Sequence, residues 1–393
     1  MRFIRETGSL VGIGLRNLPR RLDVALVAIA GFLGVVLVFV SVLSIAKGFS
    51  QTVRATGVPG VALVLRKGAG AELSSNFTLN DAQIIGGEPG VRVGSRGPWV
   101  SPELLVVISR RERHTRIESN VPLRGITPMA FRLHPHIHLV AGRLFRPGLN
   151  EVIVGRSASE RFAGLGLGDH FVSGHLVWHV VGIFTDQGGV HSSEIWADLP
   201  TLEGAFHRGD NFSSLYVALR NPADFARFKT AAEHDPRLVV DVEPEIRYFA
   251  KQARTLARFI DVAGTLILVL MGLGAIFAAL NTMYAVVADR TREIATLRIL
   301  GFGRTPILIA VLIESLFFAF LGGALGATIA YLGFNGYETS TLANFSEIVF
   351  RFEVTLPLMV TGILDALVLG LIGGLFPALR AARLAPAEAI RTL

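Results

Sequence analysis

Three histidines alternate at His134, His136 and His138. In a strand, all three imidazoles would project from one face, an arrangement in which neutral ring nitrogens bind zinc or copper. Pro135 interrupts the run and no matching acid accompanies it, so an exposed basic strand or loop is the favoured reading over a metal site. Other covalent chemistry is sparse. Residues 47–257 contain no G-x-S-x-G nucleophile elbow, no H-E-x-x-H zinc helix and no S-x-x-K arrangement. A G-x-x-x-x-G-K-[ST] phosphate loop is absent from the sequence, whose only lysines are Lys47, Lys67, Lys229 and Lys251. With no cysteine there is no thiol nucleophile and no disulfide framework. No catalytic residue and no cofactor are therefore expected in this chain. Glu314 and Asp365 pose a different question, because each interrupts an otherwise apolar run, and acids in hydrocarbon are costly and seldom idle.

The composition says what must position these residues. Of 393 residues 51% are apolar and 18% charged, and mean hydropathy is +0.51. That excludes disorder and makes an ordinary soluble enzyme a poor fit. Since a helix needs about 20 mostly apolar residues to cross a bilayer, four spans are expected. The first is 24–46 and the second lies within 258–288, with no formal charge from 262 onward; the third is 305–331 around Glu314, and the fourth 356–379 around Asp365. Ser44 and Ala46 suit a signal-peptidase site, but the first run exceeds the 7–15 residues of a signal core, which favours an uncleaved anchor.

Net charge is +7, and its placement points to membrane topology rather than nucleic acid. Arg16, Arg20 and Arg21 fall in the N-terminal segment 1–23. Arg290, Arg292, Arg298 and Arg304 fall in 289–304, and Arg380, Arg383 and Arg391 in the tail 380–393, whereas 332–355 has only Arg351. Both termini are thus expected in the cytoplasm, with 47–257 and the loop 332–355 outside.

The outer segment reads as two α/β halves around a β-rich middle. Strand patterns at 61–66, 214–219 and 238–242 accompany helices at 79–87, opened by Asn80 or Asp81, and at 222–232, with Pro222 in its first turn. The middle holds strand patterns at 104–109, 151–154 and 177–184 between glycine-rich turns. Glu233-His234-Asp235 reads as a helix end, and Trp99, Trp178 and Trp196 as packing residues.

Between the second and third spans lies A-D-R-T-R-E-I-A-T-L-R-I-L-G-F-G-R, residues 288–304. A short helix is expected there, capped by Thr291, with Ile294, Leu297 and Leu300 on one side and a turn at Gly301 and Gly303. This segment, Glu314-Ser315 with Gly322-Gly323-x-x-Gly326, and the closing F-P-A-L-R-A-A-R-L-A-P-A-E-A-I-R, residues 376–391, resemble the FtsX-like, MacB-type family of ABC transporter permeases. Gly125, Gly142-Arg143, Glu151-Val152-Ile153-Val154-Gly155, Gly166-x-Gly168-Asp169 and Val180-Val181-Gly182-Ile183 are similar to that family's periplasmic core. The fold so implied is an α-helical membrane protein of four transmembrane helices, with a large β-rich α/β extracytoplasmic domain inserted between the first two.

The resemblance further implies a permease subunit in the inner membrane. It would act as a homo- or heterodimer with a separate ABC ATPase subunit that binds ATP and Mg, and for export with a periplasmic adaptor. Residues 289–304 become a coupling segment seated on the ATPase. Arg292, Glu293, Thr296 and Arg298 would make contacts within it, alongside Leu297 and Gly301; an amphipathic connector lying in the membrane interface is the blander alternative. Glu314 is open between a bond across the dimer, a bridge to the coupling segment and snorkelling. Asp365 is open between proton coupling and pairing with Asn281, Thr282, Ser315 or a second protomer. Gly322 and Gly326, with Gly323, Gly370, Gly373 and Gly374, allow close helix approach, within the chain or across a dimer. Two rival functions are a non-transporting regulator of a cell-wall hydrolase or sensor and, behind it, a membrane-anchored metalloenzyme using the histidines.

Overall fold

The computed structural model describes residues 7–8, 10–12, 16, 22–343 and 346–383; Arg20, Arg21, Arg391 and the closing motif beyond Arg383 lie outside the described residues. The chain divides into two compact units. One comprises Met1–Lys47, Arg258–Tyr337 and Phe352–Leu393, and the other Gly48–Ala257 with Glu338–Arg351.

Five helices organise the first unit: α1 (Leu22–Thr56), α2 (Glu245–Asp289), α3 (Thr291–Ile299), α4 (Arg304–Phe334) and α5 (Leu356–Arg383), with α1 from Gly48 and α2 up to Ala257 belonging to the second unit. Four of them, all but α3, are long and apolar enough to cross a membrane. Lipid offers no hydrophobic drive for helices to associate, so close packing and hydrogen bonds must hold the bundle. The glycines supply that closeness within the chain. A Cβ on Gly322 would lie 2.6 Å from the Ile29 carbonyl oxygen, and one on Gly326 2.6 Å from that of Leu33, so this pair seats α4 on α1. Gly323 faces Ala366, Gly370 faces Ala319 and Gly374 faces Ser315 across α4 and α5, while Gly373 faces Ala279 of α2. Ser315 Oγ adds a hydrogen bond to the Gly370 carbonyl at 2.8 Å.

The second unit is built on a ten-stranded sheet. Its strands are β1 (Val61–Arg66), β2 (Val100–Arg111), β3 (Glu118–Ile126), β4 (His138–Gly142), β5 (Glu151–Gly155), β6 (His170–Ser173), β7 (Leu176–Thr185), β8 (Ile195–Asp198), β9 (Ser214–Ala218) and β10 (Val240–Pro244). The order is β10-β1-β9-β2-β3-β8-β5-β7-β4, with β6 on β7. Parallel pairs are β3 with β8 and β5 with β7. The two α/β segments expected to flank the middle come together instead: β1, from the start of the unit, lies between β9 and β10, from its end. β2 joins this part to the middle, pairing with β9 through Val100–Glu103 and with β3 from Leu104 onward.

Local chemistry accounts for the flanking helices. Thr78, not Asn80 or Asp81, caps Leu79–Gly86, and Asp81 completes a capping box by accepting the Thr78 backbone N–H at 2.8 Å. The second helix runs Phe225–His234 after a 3₁₀ turn at Pro222–Asp224, and ends at Asp235 as expected. Trp178 and Trp196 are fully buried, and Trp99 is half-buried under the Arg92 guanidinium, 4.0 Å from the ring centre. A hairpin from between α4 and α5, β11 (Glu338–Ala343) and β12 (Ser346–Arg351), belongs to this unit as well. Val349 N–H donates to Ser193 Oγ at 3.0 Å, and Phe350 stacks edge-on against Phe49.

Candidate functional site

The connector between α2 and α4 holds its shape through its two ends. α2 stops at Asp289 and Arg290 breaks the helix with φ −96° and ψ 6°. Thr291 does not cap α3; its hydroxyl donates back to the Ala288 carbonyl at 2.7 Å, at the end of α2. At the far end Gly301 has φ +91°, Phe302 N–H donates to the Leu297 carbonyl and Gly301 N–H to that of Arg298. These are the two bonds of a Schellman stop, for which glycine is the favoured residue.

Between its ends α3 has two faces. Ile294 and Ala295 are buried, Leu297 packs against the bundle core, and half-buried Arg298 turns inward to bond the Phe302 carbonyl at 3.2 Å. Arg292, Glu293 and Thr296 are exposed, together with Ile299 at 58% and Leu300 at 70% exposure. Leu300 therefore departs from the expected Ile294–Leu297 side, because the helix closes at Ile299 and the chain reverses at Gly301. Of the residues expected to make contacts, Leu297 and Arg298 hold the connector on the bundle, and Arg292, Glu293 and Thr296 lie on its exposed face.

Glu314 bridges to this connector. Its carboxylate accepts the Arg290 guanidinium at 2.7 Å, and Arg290 reaches Glu293 at 3.4 Å from its other side. Asp365 is half-buried on α5 and makes no hydrogen bond or ion pair among the described residues; Ser315, named as a possible partner, is directed to Gly370.

The β-rich unit contains a buried polar centre that the sequence pattern did not reveal. Arg124 on β3 is 1% exposed and donates all five guanidinium hydrogens. Two go to Glu194, at 2.8 and 2.9 Å, two to Glu72, at 2.9 and 3.1 Å, and one to Glu103 on β2, at 3.0 Å. Ser214 and Tyr216 on β9 donate to Glu72 at 2.6 and 3.1 Å, and Trp196 Nε1 to Glu194 at 2.7 Å. Burial alone would raise the Glu72 and Glu194 carboxyls, but Arg124 outweighs it and holds both below the usual carboxylate range. Burial pushes Glu103 up to about 7 despite the same arginine.

The alternating histidines do not share a strand. A short helix, Ala130–Leu133, ends at His134 and a turn follows, so His134 is buried, His136 half-buried and His138 exposed at the start of β4. His134 meets His191 and Glu245 instead, with a ligand atom of each within 4.8 Å of the others. The usable sequence signal was a charged residue inside an apolar strand, Glu103 before Leu104-Leu105 and Arg124 after Leu123, since unpaired charges are almost never fully buried.

Comparison with known proteins accords with this architecture. Residues 24–235 match the model of the MacB-like periplasmic core domain, and 265–386 that of the FtsX-like permease C-terminal region. The chain belongs to the MacB-type, FtsX-like family of ABC transporter permeases. Its four apolar helices, in such a family, make it a multi-pass membrane protein. The ABC transporter permease YknZ of Bacillus subtilis is 25% identical over 82% of this chain and 80% of its own length. A probable export ATP-binding/permease protein of Pseudomonas fluorescens is 24% identical over 76% of this chain and 46% of its own, so the chain spans less than half of that relative. Among solved structures, the periplasmic region of MacB from Actinobacillus actinomycetemcomitans aligns at 15% identity and a TM-score of 0.37, over 54% of this chain and 96% of that one.

Proposed function

We propose that this permease couples ATP hydrolysis by an ATPase subunit to movement of its outer domain, for export or extraction of a substrate. The observation that carries this is the exposed face of α3, where Arg292, Glu293, Thr296, Ile299 and Leu300 stand together while Ile294 and Leu297 hold the helix on the bundle. An apolar pair rimmed by charges is the anatomy of a protein contact, and the P-loop this sequence lacks would sit in the protein docked there. The Arg290–Glu314 ion pair would pass a push on α3 into α4, and the continuity of α2 from Glu245 to Asp289 would carry it toward the outer domain. The arginine distribution supports termini and α3 in the cytoplasm. Export follows the printed names of the relatives, and a second permease copy and a periplasmic adaptor complete the assembly.

Affinity purification from native membranes in mild detergent, with mass spectrometry and an ATP hydrolysis assay, tests the reading. A co-purifying ATPase is expected, and Leu300→Asp should reduce its recovery and turnover at least about tenfold, the loss expected for a central apolar anchor. Unchanged recovery and turnover in Leu300→Asp, with an intact bundle, would sink the placement.

A further inference from the structure

The buried centre of the β-rich unit brings three donor atoms together, one from each of three residues, without a hydrogen-bond partner among the described residues. His134 Nδ1 and Nε2, His191 Nε2 and Glu245 Oε1 are all fully enclosed and have no hydrogen-bond partner among the described residues. A buried polar atom left unsatisfied forfeits the hydrogen bonds it would make in water. Three so close together, from His134, His191 and Glu245, call for one common explanation. We propose that His134 Nδ1, His191 Nε2 and Glu245 Oε1 bind a divalent transition-metal ion of the zinc class, which ties the first turn of α2 to the strands of the β-rich unit.

Donor chemistry and geometry both fit. Two imidazoles and one carboxylate form a zinc ligand set, and bonds of about 2.0–2.1 Å to a tetrahedral ion place neighbouring donors about 3.4 Å apart. His134 Nδ1 and Glu245 Oε1 are 3.5 Å apart, and the three ligand atoms all lie within 4.8 Å of one another. A carboxylate stands beside the other nitrogen of each imidazole, the place such an acid takes behind a ligating histidine in metal sites. His191 Nδ1 lies 3.1 Å from Glu194 Oε2, which leaves Nε2 as its free donor. His134 Nε2 faces Glu103 Oε1 at 3.9 Å, and that oxygen is likewise without a hydrogen bond among the described residues. Glu245 Oε2 is fixed by the Val58 N–H at 3.0 Å, which presents Oε1 inward. The site would be structural, with a water or nothing in the fourth position, and it does not depend on the coupling role of α3.

The full-length protein, purified in detergent without chelators, should carry close to one equivalent of metal per chain by inductively coupled plasma mass spectrometry. After stripping, Co²⁺ should give the visible absorption of a tetrahedral site, and Zn²⁺ should compete it away. Glu245→Gln should weaken Co²⁺ binding at least about tenfold, while His136→Ala and His138→Ala should leave it unchanged. The wild-type titration requires no variant to fold. Absence of metal in the purified protein together with no Co²⁺ spectrum would overturn the site. So would equal loss in His136→Ala, which would restore the alternating-histidine reading.

Discussion

At the residue scale, two side chains show how a single group sets local behaviour. Gly301 occupies the left-handed region at φ +91°, and the two bonds that close α3 depend on it. Alanine there would strain the stop by about 1–2 kcal/mol. Gly301→Ala should therefore lower the melting temperature of the purified protein, whereas Gly301→Asn, which tolerates that conformation better, should recover part of the loss. Equal melting for wild type and Gly301→Ala would mean that the connector is not held by this stop. Glu203 acts through charge. Burial and the neighbouring Asp210 and Asp198 push its carboxyl up to about 7, and its Oε1 has no partner among the described residues. A raised folded-state value favours the protonated form in the native protein, so its contribution is complete below about pH 4.5 and disappears as pH rises through about 7. Between about pH 5 and pH 8, Glu203→Gln should lose less melting temperature than wild type. Parallel pH profiles for the two would refute this.

At the element scale, glycine placement decides how the membrane helices meet. A Cβ on Gly326 would meet backbone first, the Leu33 carbonyl at 2.6 Å, whereas one on Gly333, further along α4, meets nothing within 4 Å. Overpacking of this kind costs about 1–3 kcal/mol. Gly326→Val should lower thermal stability in detergent and Gly333→Ala should not; matching stabilities would argue that α1 and α4 can separate without loss. The same elements show what the sequence could reveal. Apolar run length exposed α1, α2, α4 and α5, and shorter apolar runs between turn residues exposed β1, β5 and β7, because each pattern is local. Pairing is not local, so nothing in 61–66 foretold that β1 would lie between β9 and β10. For the same reason the spacing of His134, His136 and His138 suggested one strand face, while the residues that surround His134 lie far along the chain at His191 and Glu245. In α3 the periodicity correctly indicated an amphipathic helix, but the turn at Gly301 leaves Leu300 exposed.

At the scale of the whole molecule, the hairpin β11–β12 constrains how the chain threads the membrane. It lies between the third and fourth apolar helices and belongs to the β-rich unit that lies between the first and second. Two segments that share one folded unit must lie on one side of a bilayer, which requires an even number of crossings between them, and α2 and α4 supply two. Helix α3, between those crossings, is therefore predicted on the opposite side. The sequence contains no cysteine, so single cysteines can report this without background. Val172 is 67% exposed on the β-rich unit, Arg351 is exposed at the end of β12 and Leu300 is exposed beyond α3. In sealed right-side-out vesicles, a membrane-impermeant maleimide should label Val172→Cys and Arg351→Cys but leave Leu300→Cys unlabelled until the membrane is opened. Inverted vesicles should reverse the pattern. Labelling of Leu300→Cys together with Val172→Cys would place the connector beside the outer domain, out of reach of a cytoplasmic ATPase, and the proposed route of coupling would fail with it.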